Sequence, residues 1–382
     1  MLPGKDHFIK EAQDQTGLID FGDPWMLDHI DPLVKALNAT AKLGPEGAYG
    51  ANLMISGALS NRLRLIQLLK DYPEILDEQV EVAAVLSGLP RTGSTMLHRM
   101  LASAPELTAM RWYETQNYLP LPGEDKGDPS PRIAAAEGIL AYMLEKIPEL
   151  MSIHPMSTTQ PDEEVIVMGQ LFSSSMIEST YFVPEFAAFL DSQDPMPAYH
   201  DLITILKCLQ WQDEKRVGKK WVLKTPGHLS TMATALKAFP EAKFITTHRD
   251  PVATVPSYCS MEASLYKLGS REISNEDIGR FWAPRLKFWL DNYMSARKRE
   301  GAGRFMDIHY KRLLENPTEL GAEVLEFAGI PMSAAIKTGM AEWIEANRRE
   351  HRAPHQYTLD DFGLSAETIE AEFAVYRDSF VK

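Results

Sequence analysis

Residues Val82 to Leu97 constrain the fold of this chain more than any other stretch. Val82-Ala83-Ala84-Val85-Leu86-Ser87 is an apolar run of strand length. Gly88-Leu89-Pro90-Arg91-Thr92-Gly93 follows as a glycine-bounded loop, and Ser94-Thr95-Met96-Leu97 opens a helix. A strand, a tight turn and a helix N-terminus make a cradle for an anion, because consecutive main-chain N–H groups converge there and the helix dipole adds positive potential. The Gly88-x-x-x-x-Gly93 spacing matches a nucleoside-triphosphate loop, yet Ser94 stands where that motif carries lysine. The cation lies inside the loop instead, at Arg91. That arrangement suits a terminal 5′-phosphate better than a β/γ-phosphate pair bridged by magnesium. An ordinary strand-to-helix turn is the alternative for so short a pattern.

Composition narrows the classes around that loop. With 382 residues, 45% hydrophobic and 24% charged, the chain is long and apolar enough for one large globular domain or two ordinary ones. A formal charge of −14 argues against nucleic acid as a partner, since phosphate-backbone affinity needs a basic face. Cys208 and Cys259 are far apart and form no disulfide or zinc pattern, so both are expected as reduced core thiols. The N-terminus has no apolar run of signal-peptide length and no later segment reaches the length of a membrane span, which makes the cytoplasm the expected compartment.

Further strands are marked at Trp221-Val222-Leu223-Lys224, Lys243-Phe244-Ile245-Thr246-Thr247 and Arg304-Phe305-Met306-Asp307-Ile308. Helical patterns separate them, at 229–239 and 251–266, and strands alternating with helices give an α/β fold with a mostly parallel sheet of four to five strands between helical layers. The expected organisation is one domain. Residues 1–78 read as an N-terminal helical layer, 80–111 and 213–382 as a nucleotide-binding core, and 112–212 as a helical insertion on the substrate side of the cleft.

A second polar constellation follows the Lys243 strand. His248-Arg249-Asp250-Pro251 lies at the strand's end and Ser257 on the next helix, so both point into the crevice where open α/β sheets bind ligands. Arg249 and Ser257 can hold a second phosphate by charge-assisted hydrogen bonds. An arginine paired with Asp250 is the structural alternative. The His-Arg-Asp tripeptide also occurs in protein kinases, but no Asp-Phe-Gly of that class follows in the right context, and the match is set aside.

These residues together resemble the sulfotransferases that use 3′-phosphoadenosine 5′-phosphosulfate, PAPS. Pro90-Arg91-Thr92-Gly93-Ser94-Thr95 is similar to their 5′-phosphosulfate loop, and Thr247-His248-Arg249-Asp250-Pro251 through Ser257 to their 3′-phosphate motif. Lys224-Thr225-Pro226-Gly227-His228 resembles the lysine-bearing strand end of the cytosolic members, and the segment from His309-Tyr310 to Asn316-Pro317 resembles the tyrosine-led loop that faces adenine. The motifs run in the family's order from about Val82 to Ile330. The match is strongest with the bacterial branch, whose C-termini resemble the segment from His355 to Leu364; residues 1–80 carry no such motif.

The resemblance implies a P-loop-like three-layer fold, PAPS as donor, PAP as product, no metal, and a small-molecule acceptor. Its cofactor contacts fall here on Arg91, Thr92, Gly93, Ser94, Thr95, Arg249, Ser257 and Tyr310. The basic cluster Arg348, Arg349 and Arg352 adds Arg352, which lies nearest the C-terminal motif. Arg91 and Lys224 are the cations expected to stabilise charge during in-line transfer, a problem of positioning and electrostatics as in phosphoryl transfer.

The general base is left open among three residues. The cytosolic histidine's place holds Pro226, and His228 stands two positions further on. Glu114 lies about where tyrosylprotein and carbohydrate members place a glutamate. Glu163, in Pro161-Asp162-Glu163-Glu164, resembles an acidic segment of the bacterial branch, although acids opening a helix often only complement its dipole. His154 reads as a structural or rim histidine. The cytosolic tryptophan after the second loop hydroxyl is Met96 here, which leaves adenine stacking to Tyr310.

Trp112, Tyr113, Met151, Met156, Met168, Phe172, Met176 and Phe182 suggest an apolar insertion and a fairly apolar acceptor, such as a lipid, sterol, polyketide or phenol, although such a stripe is more often core. Two rival readings remain: a P-loop kinase of a small metabolite, and a catalytically inactive fold member that senses PAP or another nucleotide.

Overall fold

The computed structural model describes residues 1–347 and 357–382. Five parallel strands form one sheet in the order β2-β3-β1-β4-β5. They are β1 Val82–Gly88, β2 Leu107–Thr108, β3 Lys220–Lys224, β4 Lys243–His248 and β5 Phe305–His309. The three long inner runs are apolar on both faces, as parallel strands covered by helices on each side must be. Val85, Trp221, Leu223, Phe244 and Phe305 face one core with the Met196–Gln212, Pro251–Leu265 and Asn275–Glu300 helices. Ala84, Leu86, Val222, Ile245 and Ile308 face the other with the Ser94–Leu101, Pro317–Phe327 and Ala334–Ala346 helices. The fold is therefore a three-layer α/β sandwich. Cys208 and Cys259 are free and buried, as the sequence suggested.

β2 is too short to carry a periodicity, and no strand is legible there from the residues alone. It pairs only Leu107 with Lys220 and Thr108 with Trp221. Beyond it Arg111 bridges Pro161 antiparallel, with Trp112 N–H on the Gln160 carbonyl and Asp162 N–H on the Met110 carbonyl. This short pairing brings 160–164, far away in sequence, to the sheet beside β3. On the outer side, the Ile30–Ala39 and Pro45–Asp71 helices share a core with Phe172, Ile177, Val183 and Phe186 of the insertion.

His98, on the Ser94–Leu101 helix, is buried with Nε2 on the Val222 carbonyl and Nδ1 unpartnered. Burial, helped by the Lys224 charge, pushes its pKa down to about 4. An unfolded histidine takes up its proton near 6.5, so the unfolded chain binds more protons between these values and stability falls as pH falls through them. We expect roughly 3 kcal/mol of stability to be lost at this site between pH 7 and pH 4. Urea unfolding across that range should show a shallower acid slope in His98→Gln, and an equal slope would place the loss elsewhere.

Candidate active site

The chemistry-bearing loops leave the sheet at one edge. Residues 89–93 follow β1, Lys224 ends β3, Arg249 follows β4 and Tyr310 follows β5. This is the carboxyl-end crevice of an open α/β sheet.

The loop after β1 is built from unusual backbone. Gly88, Arg91 and Gly93 all have positive φ, at 130°, 70° and 86°. Arg91 pays a steric penalty of about 1–2 kcal/mol for that conformation, which sites retain where the backbone must turn its N–H groups inward. At Gly88 a Cβ would lie 2.4 Å from the Thr247 carbonyl oxygen, so β1 and β4 meet there only without a side chain. Thr92 is fully buried, and its hydroxyl donates to the Leu89 carbonyl at 2.7 Å and meets Thr247 Oγ1 at 2.6 Å. Its side chain braces the loop, which leaves Thr92 only its main chain for a ligand.

Arg91 crosses the cleft. Its Nε donates to Ser257 Oγ at 3.1 Å and its Nη1 to the Ile153 carbonyl at 2.8 Å, tying the loop to the Pro251–Leu265 helix and to the insertion. Arg249 donates to the Arg91 carbonyl at 3.0 Å and lies over the Tyr310 ring, 4.4 Å from its centroid. Tyr310 in turn packs where a Cβ on Gly93 would stand, at 3.3 Å. Asp250 caps the following helix at Val252 N–H and pairs with Arg377 at 2.9 Å, so the Asp250 pairing considered for Arg249 does not describe the geometry. Arg91, Gly93, Arg249, Ser257 and Tyr310 thus form one cluster. Arg348, Arg349 and Arg352 lie outside the described residues.

Around β3 the three consecutive acids make different contacts. Asp162 meets Arg99 at 3.3 Å. Glu163 accepts from Lys224 Nζ, which also donates to Thr95 Oγ1 at 3.0 Å. Glu164 accepts the Lys224 main-chain N–H at 3.0 Å and His228 Nε2 at 2.7 Å. Burial, with Asp162 and Glu164 nearby, raises the Glu163 pKa above the ordinary carboxylate range despite Lys224. Burial acts on Glu164 as well, but the His228 and main-chain hydrogen bonds outweigh it and its pKa is lowered. Adjacent carboxyls with pKa values pushed apart are a frequent sign of divided acid–base roles.

Two of the base candidates have other tasks. Glu114 is buried with both oxygens on Arg216 Nη2, at 2.7 and 2.8 Å, and it accepts the Arg111 N–H in the capping box of the Trp112–Gln116 helix. It therefore locks the insertion to the 214–216 turn and does not line the chamber beside Lys224. His228 is fully buried, held between Glu164 and the Tyr199 hydroxyl at 2.7 Å, and lies on a neighbouring cleft that shares the Thr225–Gly227 turn with the chamber, not on the chamber itself. The two-residue displacement has carried its imidazole behind the Thr225–Gly227 turn.

The chamber lies between the loop and the insertion, with a volume of about 140 Å³. Arg91, Thr95, Glu163 and Thr225 form its polar end; Trp112, Met156, Met176 and Trp289 are among its apolar walls, and His154 also lines it. Of the apolar stripe read from the sequence, Trp112, Met156 and Met176 arrive here. Phe172 belongs to the N-terminal core, Met168 to the main core, and Met151 is exposed. Glu164, Tyr199 and Trp289 escaped the sequence reading; only Glu164, next to Glu163, left a local trace.

A family model described as "Sulfotransferase family" matches residues 84–334. Among solved structures, sulfotransferase STF9 from Mycobacterium avium superposes with a TM-score of 0.88 at 24% identity, covering 99% of this chain and 97% of that one. Sulfotransferase STF1 from Mycobacterium tuberculosis H37Rv gives 0.83 at 25% identity, over 98% and 99%. No curated protein matches the sequence significantly.

Proposed function

The chain belongs to the sulfotransferase family, and from that premise we propose that it transfers a sulfuryl group from PAPS to a hydroxyl or amine of a small, fairly apolar acceptor. The observation that carries this reading is Glu163, on the chamber wall and paired with the buried Lys224, beside a loop whose backbone turns inward at Arg91 and Gly93. The reaction is taken to run in the cytoplasm and without a metal.

The donor set fits a nucleotide with phosphates at both the 5′ and 3′ positions. The main-chain N–H groups of residues 93–95 open the Ser94–Leu101 helix, where the first N–H groups have no intrahelical acceptor, and would hold the 5′-phosphate. Arg249 and Ser257 would hold the 3′-phosphate, and Tyr310 would line the adenine. Bound PAPS supplies the activated sulfuryl group, whose release leaves charge on the bridging phosphate oxygen. Lys224 and Arg91 would stabilise that charge, the preorganised-donor role that such transfer chemistry needs. Glu163, on the chamber wall, would take the acceptor's proton, and its raised pKa brings its basicity nearer to neutral pH.

PAP should bind without added metal and raise the thermal stability, because a ligand that binds only the native state stabilises it by mass action, by about 2.7 kcal/mol at a hundredfold excess over Kd. Equal protection by AMP and PAP would remove the 3′-phosphate assignment. Protection by ATP with magnesium and none by PAP would favour the kinase reading, and failure of every nucleotide would sink the donor assignment.

A further inference from the structure

Resting on the reading that the chamber holds the acceptor, we propose that the acceptor is a small cyclic alcohol with a second hydrogen-bonding group, recognised by the Ser179 and Tyr258 hydroxyls, with Glu262 as the residue that positions them. The chamber is close in size to a cavity of about 150 Å³ that accommodates one benzene ring. Glu163, Ser179 and Tyr258 line that one chamber. Its walls are mostly apolar, and away from the residues of the transfer end they carry polar groups at Ser175, Ser179 and Tyr258.

Ser179 and Tyr258 belong to one buried network. Ser179 Oγ donates to Glu262 Oε1 at 3.0 Å and lies 3.3 Å from the Tyr258 hydroxyl. Glu262 is fully buried directly behind them, and its second oxygen, Oε2, has no hydrogen-bond partner. The ionisable groups that act on it are Glu178, Tyr258, Tyr266 and Cys259, none of them a cation. Burial pushes its pKa up to about 8, so near neutral pH it stands as an uncharged acid. A carboxyl group placed at the back of an apolar chamber, with one oxygen unused, stabilises the fold poorly, since an unpaired buried polar atom keeps its full desolvation penalty. It is well suited to orienting two hydroxyls. With their protons directed inward by Glu262, Ser179 and Tyr258 present oxygen lone pairs to the chamber, and a hydroxyl or amine on the acceptor satisfies them. An alkyl group in the same place leaves them dry.

The test compares each benzenediol with the cresol in which one hydroxyl is replaced by a methyl, using PAPS-dependent turnover. We expect at least one diol to exceed its cresol in kcat/KM by about 30- to 100-fold, beyond the statistical factor of about two, because sites built to bond a hydroxyl reject the analogue that lacks it. Ser179→Ala and, independently, Tyr258→Phe should each bring that ratio below about fivefold, with the diol losing more than the cresol. Glu262→Gln should reduce it partway, whereas a merely structural role would lower both substrates together. Diol-to-cresol ratios within about threefold in the unaltered protein, or ratios unchanged in both variants, overturn the inference. If neither substrate class turns over in protein that binds PAP, the inference fails and the sulfotransferase reading stands; if PAP does not bind, the reading itself fails.

Discussion

Lys224→Ala is expected to lower turnover by about 10²- to 10³-fold, the usual cost of removing one preorganised donor from a transition state, while PAP affinity stays within about threefold. Lys224 ends β3 with its main-chain N–H fixed by Glu164 and its ammonium between Thr95 and Glu163. The strand end holds it buried behind Thr95 and Glu163, which line the chamber, and no hydrogen bond joins it to Arg249 or Ser257. Because truncation also opens a small void beside a buried carboxyl, Lys224→Met serves as the control that keeps the packing and removes the charge. Arg249→Ala should behave in the opposite way. Its guanidinium lies over Tyr310 and against the Arg91 carbonyl, on the nucleotide side. Losing it should weaken PAP binding by about 2–4 kcal/mol and leave the saturated single-turnover rate comparatively intact. Titration calorimetry with single-turnover kinetics separates the two, and identical behaviour of the two variants would mean that at least one assignment is wrong.

The residues legible in the sequence are those whose job is set by their own strand end. A buried parallel strand announces itself by an apolar run, and the loop that follows it must face the crevice, so Arg91 and Arg249 could be placed from local pattern, whereas Lys224 and Tyr310 came only from the family resemblance. The residues that were not legible depend on partners distant in the chain. Glu114 has the right neighbourhood in sequence for a base, but Arg216, about a hundred residues on, takes both its oxygens. β2 is invisible because two residues have no periodicity, and yet its register, with the Arg111–Pro161 bridge, carries the acidic segment to Lys224. The Met and aromatic stripe split three ways, into chamber wall, core and surface, because helical spacing states which face is apolar and not what that face meets.

His228 shows the same limit at close range. Read as a displaced catalytic histidine, it is in the structure the inner partner of Glu164, which fixes the Lys224 main chain. Tyr199 and Thr231 extend that hydrogen-bonded chain outward, with Tyr199 2.8 Å from Thr231 Oγ1. A proline and a glycine between Lys224 and His228 turn the backbone into the short helix Pro226–Leu229, capped by the Thr225 hydroxyl on Gly227 N–H. That turn decides where the imidazole goes.

Glu163→Gln is therefore expected to cost about 10²- to 10⁴-fold in single-turnover rate, the range for loss of a general base, with PAP affinity preserved. The wild-type rate should fall as pH drops through the raised pKa of Glu163, because protonation removes the base, and Glu163→Gln should lose that limb of the profile. Glu114→Gln predicts a different signature. Arg216 is buried, with Asp213 at 3.7 Å as its remaining carboxylate, and losing the closer Glu114 should cost up to about 3–5 kcal/mol of stability, so the defect should appear first in unfolding and only secondarily in rate. His228→Ala removes a positioning contact and should reduce the rate less than Glu163→Gln, with the acid limb retained. Three single-turnover pH profiles, each beside an unfolding curve, discriminate the roles. A collapse in rate confined to His228→Ala, with the acid limb gone and stability intact, would return the proton to the histidine and leave Glu163 as no more than the counter-ion of Lys224.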